Sequence, residues 1–476
     1  MNIALIYPCG DQYQRGEDRC QSNIKSSTAT SMRACNDLGY MAAILRDKHN
    51  IFLRDYQTEC VGPDTMRSDM LIFKPDVIVV STTNATVFSD TEQIKSLKEG
   101  SGLQFRTIFK GAIFFDAEDS LIEQVDKGVV DVFVGGEIDW VIKDIVEKDD
   151  LSSVPGIIYK KDGKWIKTDF TCWNQNLDDI PFPARDLMKN ELYTRPDTNE
   201  PMATIQTARG CPSKCIYCLT PVISGRKVRS RSPENVFAEI LECYNKYHIR
   251  NFFFKADTFT IDREWVLKLC RMITESELNG KIAYTVNSRV KPISYEVMKA
   301  LKDTGCFAIA FGFETGNVET LDRIKKGATL DDARNAMKLA KQVGLPVYGF
   351  FMIGFPWENM QHIKDTERFI NELKPDFLEV HIALPYYGSA FYDMCRDEGV
   401  LSGNEIGTDY FHSATKGTKY ISSEELLNIR KKIIFKYCCN PGYIWHKMTA
   451  CHFSPKIILN YAKFGFRLIG NMFKKN

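Results

Sequence analysis

Cys211, Cys215 and Cys218 stand in a C-x3-C-x2-C spacing, Cys211-Pro-Ser-Lys-Cys215-Ile-Tyr-Cys218, preceded by Thr207-Ala-Arg-Gly210 and followed by a polar, glycine-containing loop. Three thiolates on one short loop suit three corners of a [4Fe-4S] cube. The fourth iron then has no protein ligand and can take a small molecule. S-adenosylmethionine offers it an amine and a carboxylate. A reduced cluster can pass one electron to the sulfonium and break a carbon–sulfur bond. The resulting 5′-deoxyadenosyl radical removes hydrogen from unactivated carbon, while the protein supplies ligation, orientation and exclusion of water.

Three other uses of these thiols compete. A structural zinc site closes with four ligands, usually from paired C-x2-C elements, and one such pair is present, Cys215 with Cys218. A disulfide framework needs an oxidising compartment. Buried free thiols rarely cluster with a glycine, a proline and a polar loop. The spacing favours the cluster.

The elements that must position this loop follow a strand–helix alternation. Residues 201–385 repeat it six times, with strands expected at Met202–Thr207, Asn251–Lys255, Ala283–Ser288, Ala308–Phe313, Val347–Ile353 and Phe377–Leu384. Ser232 before Pro233 marks one helix start, and Thr329 with Asp332 marks another. Six such units suit an open partial barrel, with its site at the carboxyl ends of the strands. The cysteine loop follows the first strand, at that end.

Residues 1–150 show the same alternation, with strands expected at Ile3–Tyr7, Ile51–Asp55, Val77–Val80, Thr107–Phe109 and Val130–Val134. The helices between them are expected at Leu38–Lys48, Ser89–Glu99, Asp119–Lys127 and Asp139–Glu147. This is an α/β, doubly wound, Rossmann-like parallel sheet, and its ligand positions lie after the strands. They are Ser81, Thr82 and Thr83; Lys110 and Gly111; and Gly135, Gly136 and Glu137. An ordinary flavodoxin-like loop set with no ligand is the alternative. Residues 151–200 read as a connector, with a hairpin turning at Asp162-Gly163; Arg185 and Asp186 either touch a ligand or are structural, and the structural reading is favoured. Residues 386–476 form a helical, basic C-terminal region, with helices at Glu424–Tyr437 and Pro455–Lys475.

The motifs Leu177-Asp-Asp-Ile-Pro-Phe-Pro-Ala-Arg185-Asp-Leu187, Arg229-Ser-Arg-Ser-Pro-Glu234, Asp257-Thr-Phe-Thr260, Phe311-Gly-Phe-Glu314 and Met352-Ile-Gly-Phe-Pro356, together with the cysteine loop, resemble the radical S-adenosylmethionine family. Within it the chain is similar to members with an N-terminal cobalamin-binding domain. It is most similar to the hopanoid-biosynthesis proteins and the anaerobic magnesium-protoporphyrin monomethyl ester cyclases. The resemblance implies that Tyr217, Asp257, Asn287, Ser288, Arg289, Glu314 and Gly354 bind S-adenosylmethionine. Arg289 offers a fork that matches a carboxylate. Arg289 and Glu314 could instead form a structural ion pair.

The resemblance further implies cobalamin at Ser81, Thr82, Thr83, Gly111, Gly135, Gly136 and Glu137, since Leu38-Gly-Tyr-Met-Ala42 and Val134-Gly-Gly-Glu137 look like stretches of such domains. No Asp-x-His-x-x-Gly follows the first strand, where Cys9-Gly-Asp-Gln-Tyr-Gln-Arg-Gly16 stands, and Lys110 replaces a second glycine. The domain therefore fits a cobalamin without an axial histidine, or an empty scaffold. His381, Tyr386 and Tyr387 are expected to face a small-molecule or lipid-like substrate. The implied outcomes are C-methylation, ring contraction or oxidative cyclisation, with flavodoxin or ferredoxin as reductant. A non-enzymatic iron–sulfur sensor or electron carrier is the remaining alternative.

Composition narrows the class. The 476 residues are 44% hydrophobic and 26% charged, ordinary for a soluble protein. Fifteen cysteines and no recognisable signal segment point to a reducing cytoplasm. The net charge of +1 hides an asymmetry. Ten of the 62 Lys and Arg residues, and no Asp or Glu, lie from Leu426 to Asn476. That tail suits either a solvated face or peripheral contact with an anionic membrane surface. A nucleic-acid partner is not expected, because the excess basic charge lies away from the active-site region.

Overall fold

The computed structural model describes residues 1–14, 22–23, 32–403, 406–407, 416–450 and 453–473. Arg15 and Gly16 of the loop after the first strand, and Lys474 and Lys475 of the basic tail, lie outside them. The N-terminal strands are β1 (Asn2–Tyr7), β2 (Asn50–Asp55), β3 (Val77–Ser81), β4 (Arg106–Lys110) and β5 (Val132–Val134). The helices α1 (Asn36–Leu45), α2 (Pro63–Phe73), α3 (Val87–Ser101), α4 (Asp119–Asp126) and α5 (Ile138–Glu147) accompany them. Side-chain alternation divides the sheet between two cores. Ile3, Leu5, Val77, Val79 and Ile108 face one, and Ala4, Ile6, Ile78, Val80 and Phe109 face the other. Apolar runs without polar alternation are what a sheet covered on both faces requires.

The hairpin of β6 (Ile157–Lys161) and β7 (Lys164–Lys167) does not stand apart as connector. It extends the N-terminal sheet, whose order is β2-β1-β3-β4-β5-β6-β7. The first five strands are parallel and the last two antiparallel. Asp162 (φ 50°) and Gly163 (φ 75°) make the turn, both in the left-handed region that a tight hairpin needs. The α2 crossover was not anticipated. Only Met66 and Met70 of it are buried, a single apolar row four residues apart, too narrow to register as a helical stripe.

The second sheet runs in chain order and is parallel throughout: β8 (Met202–Gln206), β9 (Asn251–Lys255), β10 (Ala283–Ser288), β11 (Cys306–Glu314), β12 (Val347–Ile353) and β13 (Phe377–Ile382). β8 does not pair with β13, so the barrel is open. Helices α6 (Pro233–Tyr247), α7 (Arg263–Thr274), α8 (Tyr295–Asp303), α9 (Leu330–Val343) and α10 (Met360–Leu373) cover its outside. The Ser232 side chain caps α6, and Thr329 with Asp332 forms a capping box on α9, as the sequence indicates.

Both margins of the open sheet are occupied. At one, α11 (Ser423–Cys438) lies along β13, and Arg430 Nε donates to the Val380 carbonyl at 2.6 Å. At the other, the Thr204 carbonyl accepts from Asn36 Nδ2 at 2.7 Å and Arg185 Nη2 at 2.9 Å. Arg185 is also ion-paired to Glu239 at 2.7 Å, and Arg231 reaches the same carboxylate at 2.5 Å. The structural reading of Arg185 therefore holds. The connector crosses α1 at Gly39, where a Cβ would lie 2.8 Å from Pro183 Cβ. Pro441 ends the run of α11 and opens α12 (Pro441–Ala450), which is followed by α13 (Pro455–Phe473). No helix among the described residues is long and apolar enough to cross a membrane.

Candidate functional site

The cysteine loop leaves the carboxyl end of β8 through Gly210. Its φ is +87°, and a Cβ there would lie 2.2 Å from the Lys227 carbonyl oxygen, so only glycine allows this turn. Backbone bonds fix the loop at several points: Cys211 N–H to the Gly225 carbonyl (3.1 Å), Ile216 N–H to the Ile324 carbonyl (3.1 Å) and Phe391 N–H to the Ile216 carbonyl (2.9 Å). Cys211, Cys215 and Cys218 are all free thiols, the first two buried. Arg289 Nη1 lies 3.5 Å from Cys215 Sγ, and Cys218 Sγ lies 3.3 Å from Thr220 Oγ1. Among the described residues, no three His, Cys, Asp or Glu side chains gather tightly enough for a single metal ion. A cubane spreads its three thiolates wider. Three free thiols on one loop, with a guanidinium against one of them, fit a cluster carrying net negative charge.

The neighbouring strand ends supply a polar constellation. Burial beside the Glu314 carboxylate and the thiols of Cys215 and Cys218 pushes the Tyr217 phenol well up. Glu314 pairs with Lys326 Nζ at 2.5 Å, and Arg289 Nη2 donates to the Lys326 carbonyl. The alternative ion pair between Arg289 and Glu314 therefore does not form: each has its own partner. Lys326 went unnoticed in the sequence, because nothing in Arg323-Ile-Lys-Lys326-Gly distinguishes it from a solvated pair. Glu314 has φ +69°, and a Cβ on Gly312 would lie 2.3 Å from its Oε1. A non-glycine residue held in the left-handed region at a strand end is a mark of a functional site.

Other expected ligand positions have different partners. Ser288 shares a 2.6 Å hydrogen bond with Thr260, on the helix side of β10, whereas Asn287 lies on the inner face with Thr285. The Gly354 N–H donates to Glu358 Oε2 at 2.7 Å, and the Phe355 N–H donates to the same oxygen at 3.1 Å. Burial lifts the Glu358 carboxyl to about 7 against those bonds. Gly354 thus closes a structural loop. His381 lies on β13 beside Phe350, and the rings of Tyr348, Phe350 and Phe377 stack at 5.0 and 5.5 Å on the face away from α6–α10, with Lys447 covering Phe377 at the amino end. Tyr386 is buried, and the Tyr387 hydroxyl accepts from the Glu118 N–H at 2.9 Å, which ties the segment to the N-terminal domain. Ser389 caps the helix Ala390–Asp397.

The carboxyl ends of the two sheets face each other across a narrow polar cavity of about 50 Å³. Asp37, Lys110, Gly135 and Gly136 line it from the first sheet, and Gln206, Lys255 and Asp257 from the second. Asp257 thus faces this cavity. Gln206 is buried and its Oε1 has no hydrogen-bond partner. On the floor, Asp37 accepts from Tyr7 and Ser81 at 2.5 Å each and lies 3.5 Å from Lys110 Nζ. Burial alone would raise the Asp37 carboxyl, but Lys110, Ser81 and Tyr7 hold it low. Thr82 and Thr83 turn instead into a hydroxyl network with Thr86 and Asp90 at the start of α3.

Gly135 is required by packing, since a Cβ would lie 2.3 Å from the Phe115 nitrogen, and Gly111 packs on Thr82. Glu137 is taken up by Arg229 at 2.6 Å, and Arg209 pairs with Asp139 and reaches Glu137 at 3.7 Å. Of the expected ligand positions of the first domain, Lys110, Gly135, Gly136 and Glu137 line the cavity. Ser81 reaches it through Asp37.

Residues 205–370 match the family model of the radical SAM superfamily. An uncharacterized methyltransferase of Pyrococcus horikoshii is 27% identical over 408 residues, covering 85% of this chain and 87% of that protein. The hopanoid C-3 methylase of Methylococcus capsulatus is 24% identical over 352 residues, covering 73% of this chain and 65% of that protein. Among solved structures, the cobalamin-dependent S-adenosylmethionine radical enzyme OxsB, with aqua-cobalamin and S-adenosylmethionine bound, aligns with a TM-score of 0.72 at 16% identity. That alignment covers 99% of this chain and 71% of the OxsB chain, and it speaks for a shared fold.

Proposed function

The chain belongs to the radical SAM superfamily through residues 205–370, and we propose that it is a cobalamin-dependent member that methylates or cyclises a small-molecule or lipid-like substrate at unactivated carbon. One observation carries the reading. The three-thiol loop and the polar cavity both lie at the carboxyl end of the barrel sheet, and the carboxyl end of the N-terminal sheet forms the cavity's other wall, so a radical source and a second cofactor would be neighbours. When bound, a [4Fe-4S] cluster supplies the electron that splits S-adenosylmethionine, and cobalamin supplies a carrier for a methyl group.

The chain's own residues do the rest. Cys211, Cys215 and Cys218 would hold three irons, and Arg289 offsets the charge on Cys215. Glu314, held by Lys326, presents a carboxylate for the amine or ribose of S-adenosylmethionine. The cavity suits the amide-rich periphery of a corrin through its polar wall and the partnerless Gln206 oxygen, and no histidine lines it. Phe350, beside His381 on the inner face of the strands, favours an apolar substrate. The names of the relatives, a methyltransferase and a hopanoid methylase, support the same class. A one-electron donor such as flavodoxin or ferredoxin completes the reaction.

The test is anaerobic reconstitution with iron, sulfide and cobalamin, followed by mass spectrometry of the products from S-adenosylmethionine and reductant. The expected outcome is 5′-deoxyadenosine together with S-adenosylhomocysteine, and a cobalamin spectrum that stays with the protein. Deoxyadenosine alone would replace methylation by abstraction without methyl transfer. A full cluster retained after all three cysteines are changed to alanine would overturn the assignment.

A further inference from the structure

We propose that helices α12 and α13 form a surface that docks on an anionic lipid bilayer. Thirteen large apolar side chains are exposed among the described residues, and five of them fall between Ile444 and Phe466. They are Ile444, Trp445, Phe453, Leu459 and Phe466, exposed by 45, 63, 49, 57 and 75%. On α13 the exposed positions Leu459, Ala462, Lys463, Phe466 and Gly470 recur every three or four residues, a single helical face. Ile457, Ile458 and Tyr461 alternate with them and are half-buried. The helix is therefore already packed on its inner side, and its apolar outer side is surplus to the core. Scattered single apolar residues need no explanation, but a contiguous patch marks an interaction site.

Charge selects the partner. Pro455 to Asn476 carries Lys456, Lys463, Arg467, Lys474 and Lys475 and no acidic residue, in a chain that otherwise has more acids than bases. An exposed apolar helix face on a segment whose only charges are basic complements a negatively charged headgroup layer, and an aromatic such as Trp445 suits the interface. Lys447 is not part of this charge. Its Nζ is buried 3.4 Å from the centre of the Phe377 ring, where it anchors α12 to the barrel. His446 on Asp376 (2.9 Å) and Asn460 on the Asp197 carbonyl (2.7 Å) fix the two helices at the amino end of the barrel, opposite the cysteine loop. A bilayer held there leaves the cavity between the sheets unobstructed.

The experiment is co-sedimentation of the full-length protein with vesicles of phosphatidylglycerol and phosphatidylcholine, and with phosphatidylcholine alone. Binding is expected to the anionic vesicles, weaker by about tenfold or more on the neutral ones or in about 0.5 M salt. Leu459→Glu and Phe466→Glu should each abolish it, whereas Ile72→Glu, on an exposed apolar residue of α2, should not. Far-UV circular dichroism should be the same for all three, because each side chain is more than half exposed. Absence of binding to anionic vesicles, or binding indifferent to both α13 substitutions, overturns the proposal. So does a dimer seen by light scattering that Leu459→Glu dissolves, since the face would then belong to a second copy.

Discussion

Gly312 and Glu314 depend on each other. The strained Glu314 carboxylate occupies space that any Cβ at residue 312 would fill, 2.3 Å from Oε1. Gly312→Ala should push the carboxylate off Lys326 and weaken S-adenosylmethionine binding by about tenfold, the scale of one charge-assisted hydrogen bond. Equilibrium binding would read the loss, with iron content unchanged. Glu358 gives a second prediction. Burial raises its carboxyl from 4.5 to about 7, so between those values the folded state holds a proton that the unfolded state has lost. Its contribution to stability is complete below about pH 4.5 and is lost as pH rises through 7, a difference on the order of 3 kcal/mol. Melting temperature should therefore fall less steeply across that window in Glu358→Gln than in the parent. The thiol loop was legible from spacing alone, and Glu314 and Arg289 from their places at strand ends. Their partners Lys326 and Cys215 were not, because they meet across 12 and 74 residues of chain.

Among the elements, the connector depends most on one group. Arg185 and Glu239 are 2 and 1% exposed, and Arg231 completes the triad. Removing the shared acid leaves two buried guanidiniums without their carboxylate, so Glu239→Ala should cost about 3–5 kcal/mol in urea unfolding. Gly135→Ala should cost at least about 1–3 kcal/mol, since the new methyl would collide with the backbone at Phe114 and Phe115. All six barrel strands were readable because their apolar runs end in polar or glycine-bearing loops. The helix over Pro63–Phe73 was missed because it buries only two methionines. The 157–167 hairpin was recognised as a hairpin, but pairing of Ile157–Tyr159 with Val132–Val134 is set by tertiary register, which turn chemistry does not encode.

At the scale of the molecule, two barrel arginines grip two acids of the N-terminal domain. Arg229 holds Glu137, Arg209 holds Asp139, and all four side chains are at most 12% exposed. These pairs span 92 and 70 residues, so the sequence carried no sign that Glu137 serves the interface. Arg229→Ala should loosen the domains, and amide exchange over residues 135–139 should rise several-fold with little change in the barrel strands. The margins of the unclosed sheet carry a different consequence. With a guanidinium on the Val380 carbonyl at one side, and an amide and a guanidinium on Thr204 at the other, neither outer strand offers a template. A neighbouring copy that added a strand would first have to displace these side chains, which guards both flanks of a barrel that never closes.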